Sequence, residues 1–213
     1  MKDALILFQI VFYITASVIA VLTFIKAKNG LLNSVNTEYQ KRVMDRLSSL
    51  SEELYSEFDP SSDQYWAKSE PVKEVLERLH EEIKPFKHEI ITSKDIHSGT
   101  PTPEAFSTLS TYLDKIKSDP FIPQKIRSMV VETLSNRTST MMSAYLEEIQ
   151  NYKTGLAEGK YWDTLDKNWA WLHNKINDRM YKNGVGISQL QEAAHKARLA
   201  IQAHLENFDP LKK

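Results

Sequence analysis

Two regimes of hydrophobicity divide the chain. Residues 4 to 25 read ALILFQIVFYITASVIAVLTFI and carry no charge. From Val35 onward, apolar residues instead recur every three or four positions with charges between them. At about 1.5 Å per residue the first stretch makes a helix of about 33 Å, long enough for the hydrocarbon core of a bilayer. A soluble helix of that length shows charges along one face. A cleaved signal peptide is the rival reading, because Val18-Ile19-Ala20 offers small residues at the right spacing. The apolar run continues past it through Val21, Leu22, Phe24 and Ile25, and Asp3 offsets Lys2 ahead of it. The length favours an uncleaved membrane helix over 4–25, then a juxtamembrane linker, 26–33, broken at Asn29-Gly30.

The span is not uniformly apolar. At about 100° per residue, Gln9, Tyr13, Ala16, Ala20 and Thr23 fall on one stripe, with Ser17 at its edge. Lipid gives apolar side chains little reason to associate, so small and amide side chains mark helix–helix contacts in membranes. The stripe predicts self-association, with a plain anchor and a lined pore as the other readings. Flanking charge gives orientation. Lys2 stands alone before the span, whereas Lys26, Lys28, Lys41 and Arg42 follow it. By the positive-inside rule the bulk of the chain lies in the cytoplasm and the N-terminus outside.

The remainder, 34–208, predicts a soluble helical bundle. Val35, Tyr39, Val43, Leu47, Leu50, Leu54 and Phe58 repeat closer to 3.6 than to 3.5 residues, which favours a helix packed on a core over a left-handed coiled coil. The helix stops at Asp59-Pro60, and a loop follows to Ser69. Pro71 opens the next helix, with Val72, Val75, Leu76, Leu79 and Ile83 on its apolar face, and Pro85 ends or kinks it. Glu89 to Thr92 predicts a short strand with no visible partner. Thr102 as N-cap and Pro103 at the first position predict a helix with Phe106, Leu109, Tyr112, Leu113 and Ile116 inside. Pro123 opens a long helix that Gly155 and Gly159 close. Trp162, Leu165, Trp169, Leu172, Ile176 and Met180 mark another. Ser188 with Gln191 predicts a capping box for the last, whose inner stripe is Leu190, Ala194, Ala197, Ile201, Leu205 and Phe208. The fold class is therefore all-α: one N-terminal transmembrane helix and an antiparallel bundle of about six helices.

Composition narrows the chemistry. The 27 Lys+Arg against 28 Asp+Glu leave a formal net charge of −1, which argues against a dedicated nucleic-acid binder. With no Cys there is no disulfide, thiolate metal site or cysteine nucleophile. Gly155 to Lys160 mimics a phosphate loop but has one residue too few between its glycines and no Ser or Thr after the lysine. Glu52-Glu53, Glu81-Glu82 and Glu147-Glu148 are neighbours on helices, about 100° apart, and do not form opposed catalytic dyads. His80 and His88 lie eight residues apart across Pro85, too far for one metal. The Asn136-Arg137-Thr138 sequon falls inside a helix. No metal or other cofactor is expected.

Two residue sets remain as candidates. Trp171 projects opposite Trp162, which predicts an unidentified protein partner, a ligand pocket or a second packing layer. Arg198 and His204, with five residues between them, have a spacing that resembles the Arg-x(4–6)-His motif of HEPN ribonucleases. Those are helical domains that work as dimers with the motifs facing. The resemblance covers these two residues and the fold class. It implies that Arg198 stabilises a strained phosphate and His204 shuttles a proton. Leu199 departs from that family, which has a polar residue there, and on a regular helix the two side chains point about 120° apart. Three functions are thus open. The first is a membrane-anchored helical interaction protein, homo-oligomeric and without catalysis, acting as scaffold, sensor or membrane-acting effector. The second is a membrane-tethered ribonuclease using Arg198 and His204. The third is an extracytoplasmic binding module on the same anchor. The charge balance and missing motifs favour the first, with the bilayer and a second copy as partners and no nucleic acid.

Overall fold

Asn29-Gly30 does not break the first helix. In the computed structural model, α1 runs without interruption from Lys2 to Ser56. A helical glycine costs only about 1 kcal/mol relative to alanine, and neither residue blocks an i→i−4 bond as proline would. The predicted linker 26–33 is therefore helix. The structure describes residues 2–66 and 71–207, with side chains from Tyr13 onward; Gln9's side chain, Ser69 and Phe208 lie outside the described residues.

The chain divides into two units, Met1–Arg46 and Leu47–Lys213. In the first, every described residue from Tyr13 to Tyr39 is exposed. Val35 and Tyr39 thus do not belong to the core stripe that the periodicity assigns them, and burial along α1 starts at Val43. In the second unit, Leu47 and Leu50 at the end of α1 are fully buried. Six helices follow: α2 (Pro71–Ile83), α3 (Lys87–Ser93), α4 (Glu104–Lys117), α5 (Gln124–Ala157), α6 (Asn168–Lys182) and α7 (Ile187–Glu206). No strand occurs among the described residues.

The 34-residue α5 is the hub, packing against α3, α4, α6 and α7, while α2 packs on α6. Its second half carries the largest core, where Ile149, Tyr152 and Leu156 meet Leu76, Leu79, Ile90, Leu172 and Ile176. Sequential neighbours pair at α4–α5 and α5–α6, but α7 turns back onto α5.

Other departures from the sequence reading have local causes. Glu89 to Thr92 is helical, within α3, because Ile90 and Ile91 are both packed into the core from one short helix. Helix α4 starts one residue later than predicted, with Pro103 as N-cap at extended φ and ψ and no side-chain cap. Trp162–Thr164 forms a separate 3₁₀ turn before α6. The cap of α7 lies two residues earlier than predicted: Gly186 N–H donates to Gln189 Oε1 at 2.8 Å.

The turn between α5 and α6 has one tight point. A Cβ at Gly155 would lie 2.3 Å from Tyr161 Cε2, so the aromatic ring packs directly on the helix backbone. Tyr161 itself has φ of 68°, a left-handed conformation held by its packing. We expect Gly155→Ala to displace that ring and lower stability by about 1–2 kcal/mol. Gly99→Ala, where nothing lies within 4 Å, serves as the control and loses nothing. Thermal unfolding of the two variants against the parent checks the contrast.

Candidate functional site

The second half of α5 carries the densest polar chemistry in the interior. Tyr152 is 1% exposed, and its hydroxyl sits between two side chains. Asn168, the first residue of α6, donates from Nδ2 to Tyr152 Oη at 2.9 Å and to the Tyr161 carbonyl at 3.0 Å. His80 Nε2 on α2 lies 2.8 Å from the same hydroxyl. Since Asn168 already donates to the phenol oxygen, the hydroxyl proton is best placed on His80 Nε2, which puts the imidazole proton on Nδ1. Thr164 Oγ1 donates to Asn168 Oδ1 at 2.8 Å, and Trp162 Nε1 donates to the Leu156 carbonyl at 2.8 Å. The Tyr161 ring stacks on Tyr152 at 5.7 Å, and Trp171 meets Tyr161 at 5.3 Å and Tyr152 at 5.9 Å.

Burial sets the ionisation here. It pushes His80 down to about 4, helped by the Lys84 charge. Burial likewise pushes the Tyr152 hydroxyl up to about 12 against the Asn168 hydrogen bond. At neutral pH both are uncharged, so the cluster joins α2, α5 and α6 through neutral hydrogen bonds. An enclosed neutral His–Tyr–Asn chain is an orienting device, since no substrate can reach its atoms without opening the core.

Buried charges outside this cluster are paired. Glu148 is 5% exposed, and Arg179 on α6 bonds both it and Glu147. Lys153 Nζ donates to the Ser98 carbonyl at 2.5 Å. Burial lowers its pKa, while Asp95 and Glu82 pull it back up. Arg137, inside the sequon, bonds both carboxylate oxygens of Glu57. Tyr112 donates to Glu53 at 3.0 Å. Two of the three acidic pairs thus contribute a member to a tie between helices, and Glu82 accepts from Ser98 at 2.5 Å.

The residues singled out by sequence fall as follows. Trp171 is half-buried on the chain's own core, with Lys175 Nζ 5.0 Å from its ring centre, in the position of a second packing layer. Tyr13, Ala16, Ala20 and Thr23 are all exposed on α1. Arg198 donates from Nε to Ser51 Oγ at 3.1 Å and lies 4.5 Å from the Tyr55 ring centre. His204 is half-buried about 1.7 turns further along the same regular helix. Within one chain they do not share a face. The phosphate-loop mimic is the end of α5: Gly155 is helical, and Gly159 takes φ of +82° in the turn. Among the described residues no group of three or more His, Asp or Glu is placed to hold a metal ion.

The sequence reading missed the Tyr152 cluster. It weighed His80 only as a metal ligand beside His88, which their separation rules against, and it did not single out Tyr152. A signal was present, because His80 falls beside Leu76 and Ile83 on the inner face of its helix, where an unpaired polar group is costly. No protein-family model, curated protein or solved structure matches this chain. The molecule is thus defined by its own architecture: an all-helical bundle and one N-terminal helix long and apolar enough to cross a membrane.

The depressed His80 pKa has a definite sign. The unfolded chain takes up this proton near pH 6.5 and the folded one only near 4. Stability from this site is complete above pH 6.5 and is lost as the pH falls towards 4. Between pH 8 and pH 5 the loss is at most about 2 kcal/mol, or several degrees in Tm. His80→Gln is expected to flatten this acid limb, and parallel slopes for parent and variant would contradict it.

Proposed function

We propose that the chain is a single-pass membrane-anchored helical interaction protein that associates with a second copy through α1. The observation that carries this reading is the exposure of the apolar residues of α1. Ile14, Val18, Ile19, Val21, Leu22, Phe24 and Ile25 are each 47% exposed or more. At about 100° per residue they occupy an arc of roughly 220°, widened by Tyr13 to roughly 240° in all. Each large apolar side chain left in water forgoes about 1.5–3 kcal/mol, and only a surrounding apolar solvent covers so wide an arc.

The remaining arc holds the small and polar stripe. Gln9, Tyr13, Ala16, Ala20 and Thr23 alternate spacings of four and three, and the same spacing continues through Ala27, Gly30, Ser34 and Thr37. An unbroken α1 keeps these positions in phase beyond the span. A Cβ at Gly30 would meet nothing within 4 Å, so the seam is open on its own chain. Small residues let helix backbones approach closely, and the 4–3 spacing is that of paired helices. Lys26, Lys28, Lys41 and Arg42 support a cytoplasmic bundle. The balanced charge and the enclosure of the His80–Tyr152–Asn168 cluster favour interaction over catalysis.

The absence of native cysteine makes single-cysteine scanning clean. Carbonate-washed membranes are expected to retain the protein. Ala20→Cys and Ser34→Cys are expected to form oxidant-dependent dimers there, whereas Val18→Cys and Leu22→Cys, facing lipid, are not. Equal cross-linking on every face, or none at any, would leave α1 as an anchor without a pairing face.

A further inference from the structure

Arg198 has the geometry of a binding group rather than of a structural ion pair. Arg42, Arg78, Arg137 and Arg179 each hold a carboxylate. Arg198, although half-buried, has no ion pair among the described residues, and its one hydrogen bond runs from Nε to Ser51 Oγ. The guanidinium carbon lies 4.5 Å from the centre of the Tyr55 ring, a cation–π contact that restrains the group. The two terminal nitrogens, the fork that grips oxyanions, carry no hydrogen bond among the described residues.

That guanidinium lines a groove of about 360 Å³ between the end of α1 and α7. The volume falls within the range of small-molecule sites. Tyr55 and Phe58 form the apolar wall, and Ser188, Gln191, His195 and Arg198 line the α7 side. The α7 positions are spaced three, four and three residues apart, which places them on one face of the helix. Glu192 also borders the groove, but it is ion-paired to Lys196 at 2.7 Å and does not neutralise Arg198.

We propose that this groove binds a small molecule with an oxyanion, a carboxylate or phosphate ester, on an apolar or aromatic body. The oxyanion takes the free fork of Arg198, with His195 and Gln191 as further donors, and the body lies against Tyr55 and Phe58. A partly desolvated guanidinium without a counter-charge favours an anion, and its contacts with Ser51 and Tyr55 limit the ordering cost on binding. The site lies wholly within the Leu47–Lys213 unit and does not depend on the membrane reading.

The test titrates full-length protein in detergent, at constant ionic strength, with phenyl phosphate, benzoate and phenethylammonium. Calorimetry is expected to show binding of at least one of the two anions and none of the cation. The tighter anion identifies the oxyanion class. Arg198→Gln is expected to weaken that binding at least tenfold. Gln191→Glu, on an exposed position that leaves the Arg198 contacts intact, is expected to weaken it several-fold and keeps the test decisive if Arg198→Gln fails to fold. The proposal is overturned if neither anion binds in the millimolar range, if the cation binds as well as the anions, or if Gln191→Glu binds them as tightly as the parent.

Discussion

A helix of 34 residues, about 51 Å long, cannot be covered by one neighbour of ordinary length, and α5 dictates the bundle for that reason. Its first half, with Ile126, Val130 and Leu134 buried, shares a wall with Leu109 and Tyr112 of α4, Leu190 and Ala194 of α7, and Leu54 and Phe58 at and beyond the end of α1. Its second half is enclosed by α2, α3 and α6. The buried arc widens from about 80° in the first half to over 200° near Leu156 and Ala157. Helices joined by short turns therefore do not simply pack in sequence order.

Such enclosure has a polar consequence. Near its C-terminal end α5 buries positions that a one-sided helix leaves in water, among them Glu148, Tyr152 and Lys153. Each is satisfied by a group from another element: Arg179 from α6, His80 and Asn168 from α2 and α6, and the Ser98 carbonyl from the loop before α4. Removing one partner of such a pair exposes the full desolvation penalty of the other, about 1–3 kcal/mol for neutral groups. The bundle is thus held by directional ties as well as by apolar area. The strained Tyr161 conformation persists because Asn168 holds its carbonyl and Tyr152 its ring.

Solvent sorts the rest of the chain. From Tyr13 to Tyr39 the chain inverts the logic of the bundle, since every residue is exposed, the large apolar side chains included. At the other end of α1, Ser51, Glu53 and Glu57 bind Arg198, Tyr112 and Arg137, so its final turns are polar ties as well as core. Arg198 differs from Arg42, Arg78, Arg137 and Arg179, which each hold a carboxylate, in bonding a serine hydroxyl through Nε.

What the sequence determined by itself was whatever depends on local spacing. The uncharged run of 4–25 marks a helix long and apolar enough to cross a membrane. The three-to-four repeat placed α2, α4, α5 and α7 and most of their inner residues, because a helix face is a property of neighbouring positions. Turn residues gave the ends only to within a residue or two, as at Pro103 and Gly186. Tertiary structure decided what depends on residues far apart. Asn29-Gly30 stays helical because nothing there forbids the helix, while Glu89 to Thr92 becomes helix because α5 offers a packing surface and no strand edge occurs among the described residues. Trp171 was legible as off the main stripe, but only the fold shows that Tyr152 and Tyr161 meet it. The partners of His80 and the missing carboxylate at Arg198 have no local signature at all, since each depends on which side chains the packing brings within hydrogen-bond distance.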